Sequence, residues 1–157
     1  MTPIDPDLLR PSLSASNAPT AAPYSTQMGM FSAFFGGPLA AVAWGVLNAH
    51  RTGQWRRDLT WLGALAMAAV AWIALAHAGG GHPSIVAFGA EWFGRRGGPI
   101  MDRFVALLIF AAASWLQRRE QRSAALFGLR TPNGWMPGIG LIAAGWLLIE
   151  IVEAASH

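Results

Sequence analysis

Phe34-Phe35-Gly36-Gly37-Pro38-Leu39-Ala40 lies in the middle of an apolar run that extends from Met28 to Leu47 without a charged residue. A helix rises about 1.5 Å per residue, so a run of this length matches the ~30 Å hydrocarbon core of a bilayer. It predicts a first transmembrane helix over 28–48. Gly37, Ala41 and Gly45 recur every four residues and would leave a flat stripe on which a second helix can approach closely. Pro38 lies well inside the run. It either kinks the helix or starts its regular part, and a neighbour must then satisfy the carbonyl it frees. An unwound Gly-Gly-Pro binding element is the functional alternative.

The rest of the chain has the same character. Of 157 residues 54% are hydrophobic and 12% charged, and the mean hydropathy is +0.37. Soluble domains carry about a quarter charged residues, and their helices alternate apolar with charged positions. Here the apolar residues come in uncharged blocks, so composition and order both predict an all-α integral membrane protein. The eleven basic residues are all arginine and sit in short clusters between those blocks. They read as topology signals and not as a nucleic-acid footprint. With no cysteine, disulfides, thiolate metal sites and thiol catalysis are excluded.

Residues 1–23 hold Pro3, Pro6, Pro11, Pro19 and Pro23 among small polar residues and predict a disordered tail without a signal peptide. Residues 24–157 then form a four-helix transmembrane domain, with helices predicted at 28–48, 59–77, 99–117 and 135–152. A polar link from His50 to Asp58 joins the first two. Gly79-Gly80-Gly81-His82-Pro83 ends the second, and Ser84–Phe93 predicts a short interfacial helix before the third. A linker containing Pro132 leads to the fourth. Gly36-Gly37-Pro38 is echoed by Gly97-Gly98-Pro99, and the spacing of Trp61 and Trp72 by that of Trp135 and Trp146. Two tandem helical hairpins would account for the echo.

The links after the first and third helices hold Arg51, Arg56, Arg57, Arg118, Arg119, Arg122 and Arg130, against Arg10, Arg95, Arg96 and Arg103 on the other side. By the positive-inside rule both termini then face away from the cytoplasm. The pattern Tyr24-Ser25-x-Gln27, Phe35-Gly36-Gly37-Pro38-Leu39-Ala40, Asn48 and Gly53 resembles the opening of a group of uncharacterised bacterial multi-pass membrane proteins. The resemblance covers the first third of the chain. It implies a bacterial cytoplasmic (inner) membrane location and carries no catalytic residue with it.

Candidate chemistry is sparse. Paired haem-ligating histidines must face each other at one depth. The predicted topology puts His50 and His77 at opposite membrane faces and separates His77 from His82 by a glycine-rich turn. Neither a phosphate-binding loop nor a catalytic triad or metal motif is legible, so the sequence predicts no catalytic residue, no metal and no cofactor. Ionisable residues at membrane depth are the remaining suspects: Asp102, Arg103, Glu150 and Glu153. Arg103 and Glu150 fall at matching depths and are expected to form an intramembrane ion pair. Gly37, Ala41 and Gly45 are the expected helix-packing seam. Taken together, the residues predict a non-enzymatic structural or interaction subunit. Its partners are the lipid bilayer and a membrane protein or a second copy, with no nucleic acid. A small oligomeric transporter or channel using Asp102, Arg103 and Glu150 is the alternative.

Overall fold

Alanine and leucine, both strong helix formers, are the commonest residues of the uncharged blocks, and these blocks form helices. The computed structural model describes residues 21–77, 91 and 97–155. Among them it is all-helical: α1 (Thr26–Arg51), α2 (Trp55–His77), α3 (Gly97–Leu116), α4 (Arg118–Leu126) and α5 (Trp135–Ala155). Residues 1–20 of the expected tail, the 79–83 turn and most of the expected interfacial helix over 84–93 lie outside the described residues. Residues 21–23, expected in the tail, are part of the fold: Ala22 and Pro23 are buried. By length and composition Thr26–Arg51 and Trp55–Ala76 could each cross a membrane. Ile100–Leu116 with Arg118–Leu126, bent by 52°, would make a third such element.

The first of these does not run straight. Gly37 has φ 79° and ψ −170°, a conformation open in practice only to glycine, and it interrupts α1. A continuous helix would hold Tyr24 and Asn48 about 36 Å apart. Instead the Tyr24 amide donates to Asn48 Oδ1 at 2.8 Å. Arg51 Nε donates to the Ala22 carbonyl at 2.7 Å, and its guanidinium lies 4.8 Å over the Tyr24 ring. The α1 segment is therefore a helical hairpin whose limbs, 26–36 and 38–51, lie against each other. Each limb is about 16–21 Å long, which is about half to two-thirds of a bilayer core. The single membrane-crossing helix expected over 28–48, kinked at Pro38 or regular only from there, is a hairpin instead. Pro38 opens the second limb, where its missing N–H costs nothing.

Trp44, 1% exposed, fills the space between the limbs. It fits because three glycines surround its indole. A Cβ on Gly29 would collide with Trp44 and Phe110, one on Gly134 would lie 2.6 Å from the Trp44 ring, and one on Gly138 would press on Met28 and Ser32. Tyr24 closes the pocket at 5.7 Å between ring centroids. Helices α3 and α5 flank the hairpin, and α2 packs on it through Leu62 and Ala69 while most of its surface stays exposed.

The expected tandem repeat fails on the same backbone. The first Gly-Gly-Pro breaks a helix in two, whereas Gly97-Gly98-Pro99 forms the first turn of an uninterrupted one. Two boundaries also move. α2 begins at Trp55 and not at residue 59, because a three-residue turn with Gly53 at φ 75° replaces the longer polar link. The stretch after α3 is not a linker but begins with the helix α4, which buries Glu120 and Ala124 one turn apart.

Candidate functional site

Because α2 starts early, Arg57 and Asp58 stand on its first turn and face the junction of α3 and α4. Arg57 Nη2 donates to Glu120 Oε1 at 2.5 Å and Arg57 Nε to Asp58 Oδ1 at 3.3 Å. The two carboxylate side chains are 7% and 8% exposed, while Arg57 is 55% exposed. Gln117, 5% exposed, donates from Nε2 to the Gly45 carbonyl at 2.7 Å and ties the α3–α4 bend to the second hairpin limb. Asp58 Oδ2 and Glu120 Oε2 are buried without a hydrogen-bond partner among the described residues. One guanidinium thus holds two nearly buried carboxylates and pins α2 to α4. Nothing in the sequence joins Arg57 and Asp58, in the polar link before the second apolar block, to Glu120, beyond the third.

The expected seam divides. Ala41 is fully buried and Gly45 lies in a helix contact, where a Cβ would meet Leu62 at 3.0 Å and Ala113 at 3.3 Å. Gly37 packs on nothing within 4 Å of its hypothetical Cβ, so its role is the turn and not the seam. The close approach next to it is made by Gly36, whose backbone touches Gly145 of α5. Beside that contact Trp146 Nε1 donates to the Phe35 carbonyl at 2.7 Å.

The expected pair of Arg103 and Glu150 does not form. The Arg103 guanidinium lies 5.1 Å over the Phe34 ring, near the tip of the hairpin, and Arg103 and Glu150 are both exposed. Matching depth does not suffice when the arginine turns to an aromatic ring on α1. Asp102, the neighbouring acid, accepts from Trp72 Nε1 at 2.7 Å. The side chains of His77 and Glu153 lie outside the described residues, and His50 is exposed. Ser32 Oγ, at the centre of the fold, donates back to the Met28 carbonyl at 2.9 Å. Among the described residues no group of three metal-ligating side chains comes together.

A scan against protein-family models, a search of curated proteins and a search of solved structures find no match for this chain.

Proposed function

We propose that the chain is a non-enzymatic structural or interaction subunit of a bacterial cytoplasmic membrane, built from a re-entrant helical hairpin and three crossing helices, α2, α3 and α5. Four crossings were expected from the hydropathy; with α1 doubled back, α2, α3 and the shorter apolar helix α5 remain as the candidates. The arginines Arg51, Arg56, Arg57, Arg118, Arg119, Arg122 and Arg130 gather at the end where the hairpin begins and closes, so that end is cytoplasmic. The hairpin is entered from the cytoplasm and α5 ends on the opposite face, in place of the expected orientation with both termini outside. The bacterial location rests on the resemblance of the opening segment.

The observation that carries the structural reading is the packing of Trp44 into its three glycines. It fills the space between the hairpin limbs with a buried ring, which favours a packed scaffold over an open path there. Asp102, Arg103 and Glu150, the residues a transporter would use, are dispersed over Trp72, Phe34 and the exposed face of α5. The exposed large apolar side chains of α2 and α5, such as Met67, Leu75, Leu147 and Ile151, supply surface for lipid and for partner helices.

Reconstitution into proteoliposomes, with proton and ion flux followed by entrapped dyes, tests this. A sealed bilayer is expected, along with a stoichiometric self-assembled or mixed complex on light-scattering chromatography in mild detergent. A monomer that conducts, with flux abolished by Asp102→Asn, would overturn it in favour of transport.

A further inference from the structure

Two hollows between α2 and the bend of α3 into α4 share Trp61, Trp115 and Leu116 and so form one groove. Its upper part, about 310 Å³, is lined by Arg57, Asp58, Arg118 and Arg119. Its lower part, about 380 Å³, runs down the outside of the bundle over Ala64, Leu65 and Ala112 and is almost wholly apolar. Trp61 and Trp115, 62% and 61% exposed, stand on either side where the two parts meet. The geometry points to a binding site for an anionic phospholipid, with its phosphate among the arginines and one acyl chain in the apolar groove.

Charge decides the head. Arg57 is engaged by two carboxylates, Asp58 and Glu120, so with Arg118 and Arg119 this end carries one net positive charge, and Arg118 and Arg119 are the cations not engaged by an acid among the described residues. Arg118 is held in place by stacking 4.6 Å over Trp115. Asp58 offsets only part of that charge, and its carboxylate is bonded to Arg57 and 8% exposed, so the groups that face the groove are the arginines. Basic pockets at the cytoplasmic ends of membrane helices select anionic headgroups, and tryptophan rings settle at headgroup level. Shape decides the tail. Ala64 and Ala112 leave a shallow channel next to the rings, and it is polar at one end only. A free phosphate would use the arginines and leave that channel empty. A partner helix would have to bring its own acid to the same end.

The inference rests on the membrane reading above but not on the subunit role. In nonionic detergent, dioleoyl phosphatidylglycerol should raise the melting temperature and stay bound in native mass spectrometry, whereas dioleoyl phosphatidylcholine should do neither. Arg118→Gln with Arg119→Gln, both at exposed positions, should weaken binding by about 30-fold at ~1 kcal/mol per arginine. Ala112→Phe should block the acyl groove with both arginines intact, and Ala64→Phe should repeat the effect from the α2 wall. Equal binding of the two lipids, or indifference to the arginine double variant, would overturn the proposal. So would inorganic phosphate or glycerol 3-phosphate matching the lipid's effect, which would leave a bare anion site. A dimer that Ala112→Phe splits would give the groove to a second copy. Extraction of the protein from membranes by alkaline carbonate would instead remove the membrane reading on which all of this stands.

Discussion

Trp146 Nε1 on α5 donates to the carbonyl of Phe35 at 2.7 Å, where the break at Gly37 deprives the first hairpin limb of its next helical turn. A proline or glycine break in a membrane helix leaves carbonyls that lipid cannot satisfy, and a side chain from a neighbour is one of the few remedies. The hairpin tip is thus stabilised from outside itself, by the helix packed beside it. Trp146→Phe keeps the ring and removes the donor. It should cost about 1–3 kcal/mol, the penalty of a carbonyl left unpaired against an apolar medium, read as a lower melting temperature in detergent. An unchanged melting temperature would show that the carbonyl finds another donor.

The glycines separate into those that hold something and those that do not. Gly29→Ala and Gly145→Ala each place a Cβ against atoms that cannot yield freely, the Trp44 indole and the Gly36 backbone. Each should cost about 1–3 kcal/mol or more by overpacking. Gly63→Ala and Gly140→Ala meet nothing within 4 Å and should be neutral or slightly stabilising in their helices. Equal tolerance at all four positions, measured by thermal unfolding, would disprove the packing around Trp44 and Gly36.

Removing Arg57 should be worse than removing the acids it holds. Arg57→Ala strands two carboxylates that are each under a tenth exposed. The cost of breaking such a pair is about 3–5 kcal/mol, reduced here because Arg57 is itself half exposed. Adding Glu120→Gln to Arg57→Ala should restore part of the loss, since the amide needs no counter-charge. Additive losses in that cycle would mean the bridge contributes nothing.

Helix class was legible in the sequence because long uncharged runs admit few other structures. The hairpin was not. Its two limbs sum to the hydropathy of one span, and Gly37-Pro38 fits a kink as well as a reversal. What separates these outcomes is Tyr24 meeting Asn48, a contact between residues that look like opposite ends of one helix. The charged cluster was missed for a different reason. Arg57, Asp58 and Glu120 sit just outside the apolar blocks, where charge reads as solvated link. The usable signal was the i, i+4 pair Glu120 and Ala124 among Arg118, Arg119 and Arg122, which gives α4 a buried face. Arg103 and Glu150 fell at matching depth, but rotation about each helix axis is set by packing, and Phe34 captured the arginine instead.

The hairpin makes a prediction about sidedness that no straight helix shares. Thr26 and His50 stand at the two ends of α1 and are both exposed. Were α1 continuous, its 26 residues would span a bilayer and the two positions would open on opposite faces. Folded at Gly37, they open on the same face, the arginine-rich one. The chain has no cysteine, so single replacements can be read without background. Thr26→Cys and His50→Cys should both react with a membrane-impermeant maleimide in inverted vesicles and stay protected in intact cells. Ala154→Cys, exposed near the end of α5, should show the reverse pattern. A Gly37→Leu background should disturb the match, because a branched side chain cannot hold φ near 79°. Labelling of Thr26→Cys from the face opposite to His50→Cys would restore a straight first span and remove the re-entrant fold.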